Sequence, residues 1–106
     1  MYRGTTPTIE IKCDFNVNTI ETLFITFVQK NETIFEKSLS DCEIQGETIV
    51  CHLTQDDTLK LEATKRDNGA KDWLEIQTRC RLKTGETLSS PINKVEVEKI
   101  LKDGVI

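Results

Sequence analysis

Between residues 8 and 15, apolar and polar positions alternate. Ile9, Ile11, Cys13 and Phe15 fall on one side, Glu10, Lys12 and Asp14 on the other. A period of two marks a half-buried β-strand, because successive side chains in an extended chain point to opposite faces. The turn-prone Asn16-Val17-Asn18 ends it, and the run over residues 23–28 is aromatic and β-branched and apolar on both faces. That pattern predicts a central strand covered on both sides. Lys30-Asn31 predicts a tight connection into a more exposed strand over residues 33–39, the two runs forming a hairpin. Ser40-Asp41-Cys42 and Gln45-Gly46-Glu47 read as punctuation. Residues 48–53 then give a short strand with Ile49, Cys51 and Leu53 on one face and His52 outward.

At Thr54 the pattern changes. A threonine followed three residues later by Asp57 has the form of a helix N-cap whose third residue bonds back, and Asp56-Asp57 suits the positive end of a helix. One or two helical turns over residues 55–61 are predicted, with Leu59 and Leu61 closing an end of the core. The stretch 63–72 is polar, with five charges and an Asn68-Gly69, and reads as a mobile surface connection. From Trp73 to Lys83 alternation returns, with Leu74, Ile76, Thr78, Cys80 and Leu82 opposite Glu75, Gln77, Arg79, Arg81 and Lys83. Thr84-Gly85 turns the chain, Pro91 interrupts the return at an edge or a sheet switch, and residues 93–100 close it with Val95 and Val97 in register. About seven short strands at turn spacings near ten residues, with one helical turn, predict an all-β, immunoglobulin-like antiparallel sandwich forming a single domain; a small barrel is the main competitor.

Composition narrows the function classes. A chain of 106 residues with 37% apolar and 30% charged residues has the make-up of a globular domain. A formal charge of −4 and a pI near 5.0 repel phosphate polyanions and anionic lipid, so neither nucleic acid nor a membrane surface is an expected partner. No apolar run reaches the ~20 residues of a membrane span, and residues 1–7 lack the apolar stretch of a secretory signal. With Met1 as the natural start, synthesis and residence in the cytoplasm are expected. The four cysteines form no C-x-x-C pair, and Cys13, Cys51 and Cys80 fall in phase with apolar residues, as buried free thiols do in a reducing compartment.

Little in the chain suggests reaction chemistry. His52 is the only histidine, and period-two geometry turns it away from Cys51, which removes the base that a nucleophilic cysteine needs. Asp56-Asp57 decorates a helix start, and Glu96 and Glu98 lie along one exposed strand face. Phosphate-binding, dinucleotide-binding and calcium-binding motifs are absent. The expectation is therefore a protein that is not an enzyme and uses no cofactor or metal. Contacts with other proteins are the remaining chemistry. Arg79 and Arg81, with Lys83, form a basic row that either meets an acidic partner or pairs with acids on a neighbouring strand, such as Glu96 and Glu98. Trp73 either covers a core edge or anchors a contact. Tyr2 and Arg3 belong to residue types enriched at interfaces, and Val105 and Ile106 carry apolar groups beyond the last strand. Each end of the chain either folds back or adds to a neighbour's sheet edge.

The opening Met1-Tyr2-Arg3-Gly4-Thr5-Thr6-Pro7-Thr8, the middle Leu53-Thr54-Gln55-Asp56-Asp57-Thr58-Leu59-Lys60-Leu61 and the closing Ile100-Leu101-Lys102-Asp103-Gly104-Val105-Ile106 together resemble small prophage proteins of Gram-positive bacteria. Those are similar to the immunoglobulin-like N-terminal domain of phage baseplate upper proteins. The resemblance implies a structural role in tail or baseplate assembly, with protein subunits of the tail or baseplate as partners and the virion as final location. The chain lacks the helical and receptor-side extensions of the larger baseplate protein, which points to an accessory or adaptor role rather than receptor binding. A stand-alone immunoglobulin-like interaction or inhibitor domain of the bacterial host is the alternative.

Overall fold

The computed structural model describes residues 1–63 and 73–106. The connection read at residues 63–72 therefore lies, apart from Ala63, outside the described residues. In chain order the elements are β1 (Thr8–Lys12), a 3-10 turn (Val17–Thr19), β2 (Ile20–Gln29), β3 (Glu32–Ser38), a second 3-10 turn (Leu39–Asp41), β4 (Cys42–Gln45), β5 (Thr48–His52), α1 (Gln55–Leu59), β6 (Leu74–Leu82), β7 (Thr87–Ser89) and β8 (Asn93–Val95). One sheet has the order β1-β5-β4. The other runs β3-β2-β6-β7, with β8 also on β6. All strand pairs are antiparallel. These orders are those of strands B-E-D and C′-C-F-G in an immunoglobulin sandwich, so the predicted all-β fold is the observed one.

The core lies between the sheets. Leu23, Ile25 and Phe27 of β2, Ile49 and Cys51 of β5, and Leu74 and Ile76 of β6 point into it. Each fully buried Leu, Ile or Phe contributes roughly 1.5–3 kcal/mol. Phe27 stacks on Phe35 of β3, with ring centroids 4.3 Å apart. The β2–β3 hairpin turns on Lys30-Asn31, both left-handed (φ 51° and 61°), the two-residue turn whose twist matches its strands.

Several expectations need correction. β2 is central but covered on one face only, and Phe24 stands 46% exposed on the other, because the second sheet packs against a single side. β1 stops at Lys12, and Cys13 instead donates its N–H to Glu47 O. α1 ends at Leu59, two residues short, although Leu61 is buried as expected. β6 starts at Leu74 rather than at Trp73. Cys42 and Gln45, read as parts of two punctuating segments, instead begin and end β4, which raises the strand count to eight.

The return after Thr84-Gly85 stays on the edge of the larger sheet throughout. β7 pairs Cys80 with Leu88, whereas β8 pairs Glu75 with Lys94, a one-residue slip. Ser90-Pro91 absorbs the slip: the Ser90 hydroxyl accepts the Thr78 N–H at 2.9 Å, a ladder bond that the bulged backbone does not make. β8 then ends at Val95. Residues 96–98 leave the sheet and pair in parallel with the N-terminal segment, with buried Val97 still in the core.

Candidate functional site

The two chain ends and α1 build one end of the sandwich. Thr54 caps α1 by accepting the Asp57 N–H, and Asp57 Oδ2 accepts the Thr54 N–H at 2.9 Å, the reciprocal cap expected from the sequence. The same Oδ2 lies 2.8 Å from Lys37 Nζ of β3, in a pair only 18% and 9% exposed. Burial pushes the Asp57 carboxyl up, but the bonds from Lys37 and Thr54 outweigh it and hold the group below its ordinary range. The bond to Asp57 raises Lys37.

Residues 1–3 run beside residues 96–98. Glu98 N–H donates to Met1 O at 2.7 Å and Arg3 N–H to Glu98 O at 3.1 Å. This pairing turns the Arg3 side chain onto the C-terminal end of α1, where Nη2 donates to Leu59 O at 2.9 Å and Nε to Leu61 O at 2.7 Å. A guanidinium is suited to that place because the last helical carbonyls lack partners and carry the negative end of the dipole. Its Nη1 reaches Asp103 of the tail at 2.7 Å. Gly4 then takes a left-handed conformation (φ 69°), and a Cβ there would lie 2.9 Å from Ile100 Cδ1. The tail is fastened once more at its end, where the Gln55 side chain accepts the Ile106 N–H at 2.9 Å and donates to Ile106 O at 3.3 Å.

The tail thus folds back onto its own chain while keeping its apolar side chains outward. Leu101 is 98% exposed, Ile106 89%, Val105 62% and, nearby, Tyr2 54%. Of the four end residues singled out from the sequence, Tyr2, Val105 and Ile106 present side chains to solvent. Arg3 instead gives three of its donors to internal partners.

Arg79 and Arg81 lie elsewhere, on the outer face of the larger sheet. With Thr22, Phe24, Thr26, Glu36 and Thr87 they line a shallow open depression of about 410 Å³. Arg81 meets Glu21 of the adjacent β2 at 3.4 Å; β8, which leads to Glu96 and Glu98, pairs with the opposite end of β6. So the row is partly balanced within the sheet, through a different acid from those expected. Trp73 borders β6 at 37% exposure, just before the Leu74–Val95 pair. Phe24, Ile44, Ile92 and Leu101 are exposed apolar residues that sequence reasoning did not single out. Leu101 was legible as an apolar residue past the last strand, whereas Phe24 was hidden in a run apolar on both faces.

His52 is exposed and accepts or donates a 3.0 Å bond with the Thr8 hydroxyl, whereas the neighbouring Cys51 is fully buried. Among the described residues, no three His, Cys, Asp or Glu side chains converge as a metal site, and no helix is long and apolar enough to cross a membrane. No family model, curated protein or solved structure matches this chain.

Proposed function

We propose that this chain is a non-enzymatic structural module of a phage or prophage tail or baseplate, and that it docks onto another tail subunit through the end of the sandwich built by its termini. The observation that carries the reading is the fastened tail: Arg3–Asp103 and Gln55–Ile106 fix the backbone while Leu101, Val105 and Ile106 face solvent. Exposed apolar side chains on an ordered segment lower the conformational entropy lost on binding, so they suit a protein interface. The resemblance of residues 1–8, 53–61 and 100–106 to prophage proteins supports the same end, since these three segments meet there. Co-expression with the tail and baseplate proteins encoded beside it, followed by size-exclusion chromatography, tests the proposal. A stable complex is expected, and a persistent monomer with each of them would remove it.

A further inference from the structure

Cys42 and Cys51 lie outside both surfaces and face each other across β4 and β5. The hairpin between these strands turns on Gly46-Glu47, and Gly46 has a φ of 63°, as a two-residue turn with glycine first requires. In such a hairpin the residues flanking the turn, Gln45 and Thr48, exchange backbone hydrogen bonds, and bonded and non-bonded pairs then alternate along the ladder. Ile44 and Ile49 are therefore non-bonded, Glu43 and Val50 bonded, and Cys42 and Cys51 non-bonded. In non-bonded pairs the Cα atoms are about 4.5 Å apart and the side chains approach most closely. A disulfide spans Cα separations of about 4.4–6.8 Å. The Cys42 thiol donates to Ser38 O at 3.4 Å, and a thiol is a weak donor, so no strong partner holds it away from Cys51 across the ladder. Cys13 and Cys80 have no such register, since one follows β1 and the other sits on β6 of the opposite sheet.

We infer that Cys42 and Cys51 form a cross-strand dithiol that a small-molecule disulfide, such as glutathione disulfide, converts to an intra-sheet bridge. Cys42 reacts first, because it lies on the edge strand and is only partly buried, whereas Cys51 is fully enclosed. Its thiolate attacks one sulfur of the oxidant, breaking the S–S bond and releasing one glutathione thiolate. The Cys51 thiolate then attacks the Cys42 sulfur of the mixed disulfide and expels the second glutathione. Two electrons pass from the pair to the oxidant, and the two thiol protons end on the released glutathiones. Burial pushes both thiols up, Cys42 to about 12, so the exchange is slow at neutral pH although its product fits the ladder. The bridge staples free edge strand β4 to β5 when the protein enters oxidising surroundings.

The test is equilibration of the folded protein with glutathione disulfide at mildly alkaline pH, followed by denaturation, thiol titration and mapping under non-reducing conditions. Expected are the loss of two thiols, a mass lower by two hydrogens and a linked Cys42–Cys51 peptide. A C51S variant should stop at Cys42 carrying one glutathione. Retention of all four thiols in the wild-type protein, or a linkage that leaves Cys42 and Cys51 free, would overturn the inference.

Discussion

Two glutamines perform the same operation at different depths. Gln29, 2% exposed at the end of β2, donates to Glu62 O at 2.9 Å and accepts the Glu62 N–H at 2.8 Å. Gln55 does the same for Ile106 at the surface, at 3.3 and 2.9 Å. The ion pairs repeat the contrast. Lys37–Asp57 and Arg3–Asp103 have similar lengths, 2.8 and 2.7 Å, but Asp57 is 9% exposed and Asp103 65%. Water competes for the exposed members and not for the buried ones, so equal distances carry unequal free energies. α1 and the segment after it are locked to the body, while the tail is held by contacts that a partner can exchange for its own.

The largest expected effect comes from Lys37→Met, which leaves the Asp57 carboxylate largely buried without its cation and should cost about 3 kcal/mol in denaturant unfolding. Adding Asp57→Leu should return part of that loss, and a cycle with no coupling would show that the pair is not a unit. The pair also sets a pH window. Because Asp57 is depressed in the folded state, its contribution is present above the unfolded value of about 3.9 and is lost as pH falls through the lower folded value. Lys37 is raised, so its contribution holds below about 10.4 and is lost only as pH rises beyond that. Asp57→Asn should therefore flatten the acid limb of stability against pH, measured by urea unfolding between roughly pH 5 and 2.

Gln29→Ala should come next, at about 2 kcal/mol, because it removes two bonds from a buried amide and leaves a void. The matching change at the tail, Gln55→Ala, should stay within about 0.5 kcal/mol. A Gln55 effect as large as that of Gln29 would erase the distinction between body and tail. Smallest of all, Asp103→Asn should leave the melting temperature nearly unchanged, within about 0.5 kcal/mol, as exposed pairs do.

What the sequence revealed follows from the range of the signal. The alternation in β6, the Lys30-Asn31 turn and the Thr54/Asp57 cap are local patterns, and each stands where the chain alone places it. Lys37 was illegible as an inward residue because its partner is 20 positions away and period-two reading sends charges outward. β4 was hidden by the polar and charged residues of a short edge strand. Arg3 read as an interface residue because its type suits one, and only the fold reveals the helix end 56 residues on that takes its hydrogens. The exposure of Val105 and Ile106 was closer to the pattern, since both lie beyond the last strand, as Tyr2 lies before the first.

The most direct measurement compares the two surfaces in one binding assay with the tail subunit that co-elutes with the protein. Leu101→Asp combined with Ile106→Asp should lower affinity at least tenfold, roughly 1.4 kcal/mol, with the melting temperature unchanged, while Phe24→Asp on the sheet face should leave affinity intact. Full binding by the tail variant, or loss of binding only with Phe24→Asp, would contradict docking through the terminal end.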